Sequence, residues 1–451
     1  MKFVEDCRRL ISLESTPDQG NRRVAETLAE MARQAGLDVQ LQQETLKGLE
    51  QANVIIRPPG AKTLLGSCKE FLLQTHLDTA EPGSFALWTQ TEHNPFNASI
   101  YGDTLYGLGA ADTKLDFLCK LEALKSLAGE NFKKPPVIVG TFGAQTGMTG
   151  ASKLLRRQLI DPDLALVGEP TDFALSTKGI GLAVVEISIP FSPQERDYRR
   201  NHDLVESSFS QSKIFFGKPA HGSVPEMGEN AILKMLDYLS QLPQGLAVMD
   251  LDGGISHNSV PASAVLEVDL VGGMQDPLAA KIRDLLAELR GLEQEFRLYQ
   301  DDNFYPKHPT MNLGMIRTSE DQVQLTGSCR ILPMVEQATY EGWMESLDQF
   351  CRKQNAQFRV LDYKPSFSTD PQLPFVQACS HILEEMGLSA LPRGLAAATE
   401  ASVFSRMGIS CVAFGPGKSA GNSHQPNESI SLDSLQKATQ FYRRIIQRMC
   451  L

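Results

Sequence analysis

Short apolar runs punctuate the chain at FLLQ (71–74), VIVGTF (137–142), LALV (164–167) and CVAF (411–414). Runs of this kind predict strands buried on both faces, as in parallel sheets. Helical spacing lies around and between them. The opening MKFVEDCRRLISLE reads as a helix, and over 21–36 Val24, Leu28 and Met31 share one face that stops at Gly36, before the alternating strand LDVQLQ. From about Thr113 to Ala128, the residues Phe117, Leu121, Leu124 and Ala128 repeat at helical intervals, with Gly129 as the stop. Strands alternating with helices predict an α/β unit: a mixed, mostly parallel sheet flanked by helices.

The rhythm changes near Gly179. Alternating LAVVEISI is followed by KIFFGKPAHGSVPEMGENAILKMLDYL and LDGGISHNSVPASAVLEVDL, then a helix over about 278–292, the strand VQLTGSCRIL (323–332) and a helix over about 340–354. This predicts an α+β domain inserted at 181–364, with the first domain split between 1–180 and 365–451.

Composition narrows the function classes. At 451 residues the chain exceeds the roughly 150-residue mode of one domain. Its 43 basic against 54 acidic residues give a net charge of -11, which excludes sequence-independent attraction to nucleic acid or to an anionic membrane. Eight scattered cysteines without a C-x-x-C, and a charged start without a signal or spanning segment, predict a cytoplasmic protein.

Each apolar run is followed closely by a residue with chemical potential: His76, Ala144-Gln145, Glu169 and His424. The carboxyl ends of strands are where open α/β sheets bind ligands. Asp78, two residues after His76, points the same way on a strand end and can orient the imidazole. LYGLGAADTKLDF delivers Asp112 and Lys114 ahead of a helix, where Asp112 is either a helix cap or a ligand and Lys114 reads as solvated. Two histidines and two acids suit a divalent metal, best zinc, with Asp112 able to bridge two ions.

The ordered set HLDT, GLGAADTK, GEPTD, GKPAHGSVPEMGENA and GPG…SHQPNE resembles the zinc-dependent aminoacylase and carboxypeptidase family, which includes acetylornithine deacetylase, succinyl-diaminopimelate desuccinylase and carboxypeptidase G. The resemblance implies a zinc exopeptidase-like catalytic domain with an inserted lid, hydrolysing amide bonds next to a carboxylate in N-acyl amino acids or small peptides. By motif it implies that His76, Asp112 and Glu169 bind one zinc, that Asp112 bridges to a second held also by His424, and that Asp78 orients His76. It implies that His221 stabilises the oxyanion, and that Asn258 and Arg330 grip the substrate carboxylate. The lid segment is long and partly like the dipeptidase branch, which favours a monomer over a homodimer.

One motif departs from the family. Ala144 and Gln145 stand in VGTFGAQTGMTGA where the family carries two glutamates, the first a general base and the second a ligand of the second zinc. Alanine exchanges no proton, and a general base contributes about 10²–10⁴ in rate. Gln145 offers a neutral oxygen in place of a carboxylate, so one zinc is expected to be firm and the second weak. Glu400 and Glu428 lie in regions the family places near the metals, though an acid bonded to the backbone is the simpler reading of each. Two functions follow: a hydrolase with an altered base, or a catalytically silent protein that binds metal and small molecules.

Overall fold

The computed structural model describes residues 2–61, 68–202, 211–242, 246–270 and 277–451. The chain divides into two compact units, Met1–Gly179 with Phe367–Leu451, and Ile180–Ser366.

The first unit begins with helices α1 (Lys2–Ile11) and α2 (Arg22–Gln34), the hairpin β1 (Asp38–Leu46) and β2 (Leu49–Arg57), and β3 (Glu70–His76). Short strands β4 (Ser99–Tyr101) and β5 (Thr104–Tyr106) precede α3 (Lys114–Lys125), β6 (Pro136–Thr141), α4 (Thr149–Arg156), β7 (Pro162–Gly168) and β8 (Ser176–Gly179). The second unit contains β9 (Gly181–Pro190), α5 (Pro193–His202), β10 (Gln211–Phe216), α6 (Ala231–Leu239), β11 (Leu246–Gly253) and β12 (Ser263–Leu270). It continues through α7 (Pro277–Phe296), β13 (Thr310–Thr318), β14 (Gln322–Ile331), α8 (Gln337–Lys353) and β15 (Gln357–Lys364). The first unit resumes with β16 (Phe367–Ser368), α9 (Pro374–Glu385), β17 (Arg393–Leu395), α10 (Ala401–Ser405), β18 (Ser410–Phe414), β19 (Ser429–Ser431) and α11 (Leu432–Cys450).

Among the described residues, the main sheet of the first unit runs β1-β2-β6-β3-β7-β18-β8-β16. Its centre is parallel, β6 with β3, β3 with β7, and β7 with β18, while β2 and β8 join it antiparallel. The mixed sheet is the one the apolar runs predict, and the reason is visible residue by residue. Phe71, Leu73, Ile138, Leu166, Val412 and Phe414 face one core with α3 and α11, whereas Leu72, Val137, Val139, Ala165, Val167 and Ala413 face the other, with α4 and α10. After β6 the chain crosses to the far side of β3 to form β7. Such a reversal of direction, at the carboxyl ends of the strands, is where open α/β sheets bind ligands.

The second unit is a separate antiparallel sheet, β10-β12-β11-β13-β14-β9-β15, with α6, α7 and α8 contributing to its core. No helix among the described residues is long and apolar enough to cross a membrane.

Candidate metal centre

His76 is the last residue of β3, where the strand's burial leaves it 4% exposed. Glu169 follows β7 directly, and Asp112 lies in the turn before α3. One ligand atom from each of these three side chains lies within 4.8 Å of the others. Asp112 is shared between two imidazoles. Its Oδ1 is 3.1 Å from His76 Nε2 and its Oδ2 is 2.5 Å from His424 Nε2, so its two oxygens face two different nitrogen donors. Gln145 Nε2 lies 3.4 Å from His424 Nε2. The sequence-predicted donors of the catalytic unit are therefore brought together.

Three details differ from the expectations. Asp112 is not the helix cap; Thr113 occupies that place, and its hydroxyl donates to the His76 carbonyl at 2.9 Å. Asp78 orients His76 through its backbone carbonyl, 2.9 Å from Nδ1, while its carboxylate stays 3.9 Å away. That carboxylate instead accepts the backbone N–H groups of Ala144 (3.2 Å) and Gln145 (2.9 Å), because the turn after β6 points both amides at it. Lys114, expected to be solvated, is fully buried and donates to the Leu13 carbonyl at 2.6 Å. Its burial pushes its pKa down to about 7.

The charges explain one another. Burial opposes ionisation of Asp112, but His76 and His424 outweigh it and hold the carboxyl well below its usual range. Burial likewise opposes the His76 imidazolium, yet Asp112 raises its pKa well above the ordinary value. Burial, with Asp112 adding, pushes Glu169 up to about 7. Glu428 is pushed up to about 7 for the same two reasons; its Oε1 accepts the N–H groups of Ala111 (2.8 Å) and Asp112 (2.9 Å), and its Oε2 is buried without a partner. Clustered acids held near neutrality beside two imidazoles are what a divalent cation would relieve. The residues fit a metal.

Glu400 is a second buried acid that sequence motifs leave unassigned. Its Oε2 accepts from Gln74 (2.5 Å) and Thr141 (2.6 Å), at the carboxyl-end residues of β3 and β6, and its Oε1 has no partner. Burial pushes its carboxyl up from 4.5 to about 7. A raised folded-state pKa gives a contribution that is complete below the unfolded value and lost as pH rises through about 7. Glu400→Gln carries no such dependence. In metal-free melts the variant is expected to gain roughly 5 °C on the wild type between pH 5 and pH 8; a constant difference across that range would show that Glu400 is already ionised.

In the second unit His221, Asn258 and Arg330 also converge. Arg330 donates to Asn258 Oδ1 (2.5 Å), and Asn258 Nδ2 lies 3.1 Å from His221 Nε2. Arg330 is 7% exposed, its Nε has no partner, and among the described residues no carboxylate pairs with it. Burial lowers its pKa to about 10. A buried guanidinium with only a neutral acceptor is poised for an anion.

Two imidazoles and two carboxylates gathered at the carboxyl ends of the parallel strands, with His76 and Asp112 buried, define a site suited to a divalent metal. The chain is a member of peptidase family M20/M25/M40, whose model matches residues 72–448. It is 23% identical to the acetylornithine deacetylase of Photorhabdus laumondii, across 100% of this chain and 97% of that one. In fold it is similar to the aminoacylhistidine dipeptidase of Vibrio alginolyticus (TM-score 0.66, 17% identity, 99% and 96% of the two chains). It is also similar to a Bacillus subtilis protein described as a dinuclear metal binding peptidase of the M20 family (TM-score 0.54, 12% identity, 98% and 96%).

Proposed function

We propose that this protein is a cytoplasmic, monomeric, zinc-dependent hydrolase of amide bonds next to a carboxylate, acting on N-acyl amino acids or small peptides. The convergence of His76, Asp112 and Glu169 within 4.8 Å carries the reading. These three supply a complete protein ligand set with a position left for substrate or water, as in catalytic zinc sites. When bound there, zinc supplies Lewis acidity and an activated water.

One ion is firm and a second is weak, on charge grounds. Asp112 and Glu169 as carboxylates balance one divalent cation; Gln145, beside His424, adds no charge for another. Asp78 holds the turn at 144–145, Arg330 and Asn258 bind the substrate carboxylate, and His221 stabilises the charge that develops on the scissile oxygen. The replacement of the base by Ala144 favours a second reading, a silent protein that binds metal and small molecules.

Metal content after chelator-free purification, measured with turnover of a panel of N-acyl amino acids, dipeptides and their methyl esters, decides between them. We expect about one zinc per chain and hydrolysis of the free acids. Loss of a hydrogen-bonded charge is expected to slow the methyl esters, and Arg330→Met acting on the free acids, by about 10–100-fold in kcat/KM. Turnover below about 10⁻⁴ of an ordinary family member, unrescued by glutamate at 144 and 145, leaves the binding protein.

A further inference from the structure

We infer that Lys120, Asp116 and Tyr442 form a buried clasp that sets the positions of the strand ends carrying His76 and Glu169, a positioning role that rests on the zinc reading above. Helix α3 is buried on nearly every side, yet among its apolar residues it carries Asp116 and Lys120, one turn apart, 2% and 0% exposed. Lys120 Nζ donates to Asp116 Oδ2, the Gln74 carbonyl and Thr75 Oγ1, each at 2.7 Å. Three donors thus meet three acceptors. Asp116 Oδ2 also accepts from the Thr75 hydroxyl at 2.9 Å, and its Oδ1 accepts from the hydroxyl of Tyr442 on α11. The Lys120 ammonium lies 5.1 Å from the Tyr442 ring centroid.

The clasp closes on the residues just before the ligands. Thr75 precedes His76, and Gly168 precedes Glu169. A Cβ at Gly168 would sit 2.3 Å from Asp116 Oδ2, 2.6 Å from Thr75 Oγ1 and 2.7 Å from Lys120 Nζ, so β7 reaches the clasp only because this residue has no side chain. Gly415, after β18, is pressed in the same way against the Glu169 carbonyl, where a Cβ would lie at 2.4 Å. The helix that holds both charges begins two residues after Asp112. All three ligands are therefore referenced to α3. Apolar side chains of similar volume commonly replace an isolated buried ion pair at no loss, but this pair also holds the buried Thr75 and Tyr442 hydroxyls. What apolar side chains do not reproduce is the set of directional bonds to Gln74 and Thr75.

The test uses the full chain with Asp116→Leu/Lys120→Met and, separately, Tyr442→Phe, read by zinc affinity, by the cobalt absorption spectrum and by metal-free melting. The double variant is expected to melt below the wild type, because the buried Thr75 and Tyr442 hydroxyls lose these partners, and to bind zinc about 10-fold or more weakly, the scale seen when a group behind a ligand is lost, with a shifted cobalt band. Tyr442→Phe is expected to show a smaller loss in the same direction, and it decides the matter if the double variant does not fold. Variants that fold and bind both metals as the wild type does would overturn the clasp and leave the zinc reading intact. A wild type that takes up neither metal would defeat the zinc reading itself, and with it any centre to position.

Discussion

Asp112→Asn is expected to weaken zinc binding by more than about 100-fold, beyond the upper end of the cost of losing a group one layer behind a ligand. Asp112 is the one side chain here with an oxygen for each imidazole, facing His76 at 3.1 Å and His424 at 2.5 Å. Asparagine keeps the shape and the backbone N–H that Glu428 accepts, so the change isolates charge from packing. Its effects on the metal-free chain have a definite sign. The raised pKa of His76 gives stability that is complete below the unfolded value and lost as pH rises through the folded one; Asp112, held low, gives stability present above its unfolded value and lost as pH falls. Both disappear together in the variant. Relief of repulsion by Asp112 also lets Glu428 ionise more readily. Equilibrium dialysis with zinc, and a pH titration of the histidine ring protons by NMR, check both halves. Undiminished affinity would place the ion somewhere else.

How far the sequence reveals this site depends on what kind of interaction builds it. FLLQ, VIVGTF, LALV and CVAF announce themselves because a strand buried on both faces is built mostly of apolar residues, and His76 and Glu169 mark where those strands end. Asp78 is legible as important but not as to how: sequence spacing aims its carboxylate at His76, whereas the turn after β6 claims it through two backbone amides that no side-chain pattern encodes. Lys114 fails for a related reason. A lysine at the start of a helix reads as solvated, and only the fold brings the Leu13 carbonyl to it. Glu400 and Glu428 owe their place to partners hundreds of residues away, Thr141 and Gln74 for one, Ala111 and Asp112 for the other. Asp116 and Lys120 leave a signal, opposite charges four residues apart on a helix whose other residues between Leu115 and Leu121 are apolar.

Ala144→Glu is expected to raise kcat by about 10²–10⁴-fold, the contribution of a general base, with little change in zinc affinity. The expectation rests on the backbone. Asp78 holds the N–H groups of residues 144 and 145 at 3.2 and 2.9 Å, so the turn keeps its form without the glutamates that the family carries. Both side chains are only partly buried, which leaves room for the longer one at 144. Gln145→Glu acts on a different quantity. A carboxylate beside His424 would replace the neutral amide now 3.4 Å from Nε2, add the charge that a second divalent ion needs, and raise zinc uptake from about one toward two per chain. The two changes are thus separable: rate follows residue 144, metal count follows residue 145. Steady-state kinetics on the best substrate of the panel, paired with metal analysis of each single variant and the double, distinguishes them. If Ala144→Glu leaves the rate unchanged at full zinc occupancy, proton removal from water is already met by another group, and Glu400, with its unpartnered Oε1 and a carboxyl pushed up to about 7, is the first residue to substitute next.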